Sequence, residues 1–366
     1  MLFPDPFPNL LTPDLGLAGA LAAAQAETAV SFPAAGVHLN AAISVVAITD
    51  STSGPPTFRH AGFRDREMHF SGSLLKVAAM LAAFELRQSA SDFTLTTGDC
   101  APGVVFSGLS GTFDRDIHAS VPRFLRERDI KDHPEMRVPK YATIFGPPQG
   151  LASGGCLMSF NPVFATNLEG MIVPSNNAQA AACIKALGYS WINGMLSKVA
   201  LFDQATNRGI WLAGTFAPGT GFPAIRVPSV NDGPSAQATT CFDMARLYAL
   251  LVEGNTLDSR SSDSISVEML DLLAAAQSGL DASFLTTGRR QGVDGLGAGF
   301  TITHTKIGLG PLNAGGEVAS EATILRHDAS GRRFIVVWQN LLNLIDRHNA
   351  MSFMVRRTIE NFIAIP

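Results

Sequence analysis

The run from Leu74 to Leu86 is rich in Ala and Leu, contains no Gly or Pro, and forms a helix that is apolar on nearly every face. A helix of that kind belongs inside a protein, so the remainder of the chain must wrap around it. Its leading edge carries Ser73 and Lys76, the one Ser-x-x-Lys in a chain with six lysines. Side chains three residues apart on a helix stand side by side. A serine hydroxyl is a poor nucleophile at neutral pH, and a lysine desolvated enough to lose its proton can activate it. The competing reading is a serine near a helix start with a lysine snorkelling from the first turn.

With 46% hydrophobic and 16% charged residues in 366, the chain can bury one large core or two lobes sharing an interface. A net charge of -4 without a dense Lys/Arg run leaves no electrostatic footprint for nucleic acid. No apolar stretch reaches the roughly 18 residues of a membrane-spanning helix. No Lys or Arg precedes Arg59, so the basic start of a secretory leader is missing. The expectation is a cytoplasmic protein as written, and a periplasmic or secreted one if a leader has been removed. Cys100, Cys156, Cys183 and Cys241 are widely spaced. Free thiols are expected, with a Cys100–Cys156 bridge as the pairing open to an exported protein.

The segment 1-37 reads as an N-terminal arm with a short helix from about Leu15 to Ala26. Ala42 to Thr49 is a β-branched run closed by a polar Gly/Pro turn, and Thr57 to Phe63 completes a hairpin. After the Ser73 helix, residues from about 99 to 160 read as a mostly irregular insertion. Its charged run Arg123 to Asp129 looks like a solvated helix face. Ala178 to Leu187, Trp191 to Ala200 and Thr239 to Val252 are expected as helices, and Gly209 to Phe216 with Phe222 to Val227 as a short hairpin. Phe300 to Lys306, Glu321 to His327 and Phe334 to Gln339 read as strands, and Ala350 to Ile365 as a closing helix. The predicted fold class is α/β (α+β), with an antiparallel sheet of about five strands built from both chain ends and flanked by helices. Residues 38-72 plus 206-366 would form the sheet domain, and 73-205 an inserted, mostly helical domain.

Three motifs in order give the chain a resemblance to the class A serine β-lactamase and penicillin-binding protein superfamily. Ser73-Leu74-Leu75-Lys76 stands at the start of a buried helix after a strand pair. Ser175-Asn176-Asn177 follows an apolar stretch and leads into a helix, like the family's Ser-Asp-Asn loop. Lys306-Ile307-Gly308 lies on a strand, as the family's Lys-Thr-Gly does. The helix near Thr239 to Leu251 also resembles the one before the family's late strands. The resemblance implies a serine hydrolase that forms an acyl-enzyme on Ser73, with Lys76 as base or proton relay. It implies that Ser175 passes a proton to the leaving group and that Asn177 holds the substrate amide. Lys306 would attract an anionic, carboxylate-bearing small molecule, and the N–H groups of Ser73 and Leu309, beside Gly308, would form the oxyanion hole. No cofactor is implied. Taken singly, Ser175-Asn176-Asn177 also reads as a helix-capping turn, and Lys306 as an edge charge that blocks aggregation.

Departures from the pattern bear on activity. The family's class A enzymes use a glutamate after the second motif to activate the deacylating water, and this chain has no Glu between Glu169 and Glu253. Asp203 and Asp232 are acidic residues in that interval, each in a polar setting that reads first as a surface or capping position. Ile307 replaces a hydroxyl residue, and Asn176 replaces an acidic one. These changes leave three readings: a lactam hydrolase, an esterase, amidase or peptidase on the same scaffold, and a penicillin-binding-type protein with little turnover. His304 would share a strand face with Lys306, as a proton carrier or as a wall residue. The eight histidines show no metal-ligand spacing. Gly295-Leu296-Gly297-Ala298-Gly299 precedes a strand and so reads as a turn, not a nucleotide loop.

Overall fold

The structure, a computed structural model, describes residues 2–3, 6–50, 54–120, 138–152, 154–214, 225–231, 233–254, 262–280 and 282–365. Its first residues run across the helical part of the molecule. Phe3 stacks on Trp191 with 5.4 Å between ring centroids, and Ser89 Oγ donates to Leu2 O at 2.8 Å. Strand β1 (Leu11–Pro13) then joins the sheet, and helix α1 (Leu15–Ser31) follows with Asp14 capping Leu17 N at 2.7 Å. The helix extends past the expected Ala26 to Ser31, and within it the buried Thr28 satisfies its hydroxyl on Ala24 O at 2.7 Å.

Strands β2 (Ala42–Thr49) and β3 (Thr57–Phe63) have the bounds read from the sequence. Three late strands, β7 (Phe300–Pro311), β8 (Glu317–His327) and β9 (Arg333–Leu342), complete a six-stranded sheet in the order β1-β3-β2-β9-β8-β7. Every pairing is antiparallel except β1 with β3. The sheet is a strand larger than expected, because three residues ending in Pro13 show no periodicity. Both faces of the middle strands are covered, which is why they read as continuous apolar runs. On the rear face, Ile43, Val45, Val336 and Trp338 pack with α1 and the closing helix α9 (Ile345–Ile363). On the front face, Val46, Ile335 and Val337 join the larger core.

That core surrounds helix α2 (Lys76–Thr97), in which every residue from Lys76 to Leu86 is buried. Replacing a fully buried leucine there, such as Leu81, by Ala would cost about 2–5 kcal/mol. Around it stand α3 (Pro102–Ser120), α4 (Pro162–Ile172), α5 (Asn177–Leu187) and α6 (Tyr189–Lys198), with α7 (Cys241–Glu253) and α8 (Ser262–Ser278) nearer the sheet. The short strand β4 (His69–Phe70) pairs with β6 (Gln237–Thr239), which also pairs with β5 (Trp211–Leu212).

Two expectations need correction. The insertion near 99–160 contains a well-formed helix, α3, buried at Val105, Leu109, Phe113 and Ile117. That four-residue stripe is masked in the sequence by Gly103, Gly108 and Gly111. The charged run Arg123 to Asp129 lies outside the described residues. The expected hairpin of Gly209 to Phe216 with Phe222 to Val227 lies in part outside the described residues; of its flanks, Ile225 N donates to Ala213 O at 3.1 Å, while Trp211–Leu212 also pair with β6 and Val227–Ser229 with Gly233–Ser235. The thiols are also not all free: Cys100 and Cys156 form a disulfide across 56 residues, clasping the insertion at its two ends. Cys183 and Cys241 are free and buried, and burial pushes the Cys183 thiol up to about 12.

Candidate active site

Ser73 sits in a single 3-10 turn, Gly72–Leu75, that passes into α2 at Lys76. Residues three apart eclipse one another in a 3-10 turn, so Ser73 and Lys76 emerge on one edge. Ser73 is half-buried, while Lys76 is fully buried. An ammonium group out of water needs oxygen partners, and the second motif supplies them. Lys76 Nζ donates to Ser175 O at 2.5 Å, to Ser175 Oγ at 3.1 Å and to Asn177 Oδ1 at 2.8 Å.

The loop that brings these acceptors is held by its own backbone. Asn176 N donates to Gly170 O at 2.9 Å, and Ser175 adopts a left-handed φ of 55°. Asn176 caps α5 by accepting from Ala178 N and Gln179 N. Both readings of the tripeptide are therefore realised, by different residues: Asn176 is the cap, and Ser175 with Asn177 meets Lys76. Lysine snorkelling does not describe Lys76, whose terminus is turned into the protein.

The third motif lies against the same turn. A Cβ on Gly308 would come within 2.1 Å of Ser71 O, 2.4 Å of Ser320 Oγ and 2.8 Å of Leu74 N, so β7 meets the backbone around Ser73 directly, with the Ser320 hydroxyl beside the contact. Gly72 answers from the other side: its φ is 52°, and a Cβ there would lie 2.3 Å from Leu309 O. Ser320 Oγ, on β8, donates to Ser71 O at 2.8 Å and ties the turn to the sheet. Nothing in the sequence marked Ser320, because its partner is a backbone carbonyl 249 residues away.

Strand alternation places Lys306, Gly308 and His304 on the front face of β7, with Ala322 of the main core opposite Lys306. Lys306 is fully buried, which excludes the solvated edge-charge reading. Ile307 and Leu309 point rearward, where Ile307 joins the apolar cluster of Phe284, Leu296 and Trp338. Only the backbone of Leu309 faces the turn.

His304 is half-buried and bonded to its neighbour Thr303 at 2.7 Å. Thr303 Oγ1 itself donates to Ile324 O at 3.1 Å, so it accepts from His304 Nδ1–H. Burial, and then the Arg333 charge, lower the His304 pKa below the usual imidazole value. These bonds suit a fixed wall better than a mobile proton carrier. Asp203 accepts from Ala205 N at 2.9 Å and Thr206 Oγ1 at 2.7 Å in an exposed turn. The Thr206 hydroxyl chiefly holds its carboxyl below the usual range, which is the signature of a turn cap. Asp232 lies outside the described residues. Among the described residues, no group of three or more His, Cys, Asp or Glu could hold a metal ion, and no helix is long and apolar enough to cross a membrane.

A scan against protein-family models finds no match, and a search of curated proteins finds none. Solved structures do match. A β-lactamase from Desulfarculus baarsii DSM 2075 aligns over 95% of this chain and 99% of its own, at TM-score 0.50 and 16% identity. A mutant of the class A β-lactamase of the last common ancestor of Gram-negative bacteria aligns over 94% and 100%, at TM-score 0.48 and 14% identity. For the TLA-3 extended-spectrum β-lactamase the figures are 94% and 97%, 0.47 and 12%. Identity this low speaks for architecture and not for reaction, and the architecture of this chain is β-lactamase-like.

Proposed function

We propose that the chain is a serine hydrolase that forms an acyl-enzyme on Ser73 and cleaves a lactam, amide or ester bond in a small molecule. The observation that carries this reading is the convergence of Ser175 O, Ser175 Oγ and Asn177 Oδ1 on the buried Lys76 Nζ, one helical step from Ser73. In the neutral form, Lys76 takes the Ser73 proton as Oγ bonds to the substrate carbonyl carbon. The N–H groups of Ser73 and Leu309 receive the resulting oxyanion, an interaction whose loss typically costs about 3 kcal/mol. Ser175 Oγ–H then delivers a proton to the departing nitrogen or oxygen as its bond to carbon breaks, and takes in turn the proton of the Lys76 ammonium 3.1 Å away. Lys306 supplies positive charge for a substrate carboxylate.

A second reading is a penicillin-binding-type protein that is acylated and turns over little. It is favoured by the absence of any Glu between Glu169 and Glu253 and by the capture of Asp203 in its own turn. The Cys100–Cys156 disulfide supports an oxidising, exported setting for either activity.

Intact-protein mass spectrometry after incubation with a penicillin or a short-chain nitrophenyl ester tests both readings. An adduct present in wild type and missing from Ser73→Ala supports the nucleophile, and its lifetime separates a hydrolase from a slow binder. No adduct and no turnover with either reagent would count against both.

A further inference from the structure

Behind the Lys306 strand lies a carboxylate that the chemistry above does not use. Glu321 of β8 is fully buried, in an otherwise apolar layer with Ile307, Phe284 and Trp338. Its Oε1 accepts from Thr305 Oγ1 at 3.0 Å, and its Oε2 accepts from Phe284 N at 3.1 Å. The Ser283 hydroxyl also bonds to it, and Arg289 of the same loop and Tyr248 of α7 feel its charge. From α9, His348 stacks on the Phe284 ring at 4.5 Å.

Two placements give this group a role. Thr305 is the residue before Lys306, so the carboxylate fastens β7 at the step adjacent to the motif and joins it to the loop around Ser283 and Phe284. Ser320, the residue before Glu321, turns to the front face and bonds Ser71 O. The β8–β9 register shifts between Ala319 and Glu321 with the extra residue on β9, so β8 keeps its alternation and turns these two side chains to opposite faces. Consecutive residues of β8 thus hold the nucleophile turn from the front and the lysine strand from behind. An apolar side chain of similar size would avoid the desolvation cost of a carboxylate but would leave Thr305, Ser283 and the Phe284 N–H without this acceptor. What the carboxylate adds is directional bonding to β7.

We propose that Glu321 is a positioning residue that locks the Lys306 strand onto the turn carrying Ser73; its value to catalysis rests on the acyl-enzyme reading given above. Burial raises its pKa to about 7, against the pull of Ser283, Thr305, Arg289 and the Phe284 N–H. A carboxylate accepts every bond offered to it, whereas the protonated acid must donate one. Rising pH through neutrality therefore sets this all-accepting bond pattern to β7, at a cost in overall stability.

The test compares wild type, Glu321→Gln and Glu321→Leu by hydrogen exchange of the 300–311 peptide and by the rate of Ser73 acylation with a penicillin and a nitrophenyl ester. Both variants are expected to fold, to exchange faster in 300–311 while 42–49 keeps its wild-type protection, and to acylate about 10-fold more slowly at alkaline pH. The wild-type inflection of acylation near neutrality should be missing from Glu321→Gln. Wild-type exchange in 300–311 in both variants overturns the proposal. Faster exchange in the variants, with no Ser73 adduct even in wild type, supports the lock and overturns the acyl-enzyme reading.

Discussion

Lys76 Nζ lies 2.8 Å from Asn177 Oδ1, although 101 residues separate the two in sequence. The contact joins the start of α2 to the start of α5, and it leaves the lysine with a neutral amide instead of a carboxylate at that position. A neutral partner allows the ammonium to give up its proton more easily than an anionic one would.

Asn177→Asp should therefore hold Lys76 in its charged form. Acylation at neutral pH is expected to fall about 10-fold or more and to recover as pH rises, so the basic limb of the rate profile moves upward. Lys76→Met keeps the length of the side chain and removes the base. Its acylation should drop by about 10²–10⁴ at every pH, with the fold retained by circular dichroism. Equal pH profiles for wild type and Asn177→Asp would remove Lys76 from the role of base.

Ile307→Thr restores a hydroxyl at the position where the sequence departs from the Lys-Thr-Gly pattern. Because Ile307 is buried in the rear apolar cluster, the hydroxyl would enter the core instead of the cleft. A loss of about 1–3 kcal/mol in stability, without faster penicillin acylation, is the expected result from denaturant titration and stopped-flow measurement.

Removing the disulfide should loosen the insertion more than the active site. Closing a loop of 56 residues is worth roughly 4 kcal/mol in the chain-entropy model. Cys100→Ser/Cys156→Ser is expected to lower Tm by several degrees while leaving Ser73 acylation within about 2-fold of wild type. Calorimetry with and without reductant checks the first part, since reductant should affect only the wild type.

Stability should peak near pH 6.5. Burial is the leading cause that brings the pKa values of His69 and His348 down to about 4, so their stabilisation is complete above about pH 6.5 and is lost as pH falls toward 4. Glu321 acts in the opposite sense. Its pKa is raised to about 7, so its contribution is full below about 4.5 and lost as pH rises through 7, an effect of about 3 kcal/mol. Between about 4.5 and 6.5 the two histidines outweigh the one glutamate, and above that range only the glutamate titrates. Thermal scans across this range should show the alkaline decline in wild type and not in Glu321→Gln.

The parts of the fold legible in the sequence are those with local periodic signals. Ala42–Thr49 and Thr57–Phe63 are bounded by turn residues and were read to the residue, and the apolar helix after Ser73 is buried on all sides as its composition required. Helix α3 was hidden by its glycines, and β1 by its shortness. Cys100–Cys156 was the bridge the sequence left open for an exported protein, and the structure forms it against the expectation of free thiols. At the site, the three motifs pointed to segments that do converge, and the structure sorted roles within them: Asn176 caps while Asn177 reaches Lys76. Ser320 and Glu321 left no signal, since each acts on a partner far away in sequence.

The seam between Gly72 and Gly308 constrains how such a protein can change. Where two backbones touch with no Cβ on either side, and the side chain beside them, Ser320, is already bonded to Ser71 O, there is little to enlarge, shrink or re-charge, so the spacing between the Ser73 turn and the strand is closed to gradual mutational tuning. On the acyl-enzyme reading, new substrate preferences would then arise on the walls that do carry side chains, such as the exposed Asn177 and the half-buried His304, while the gap beside Ser73 stays the same.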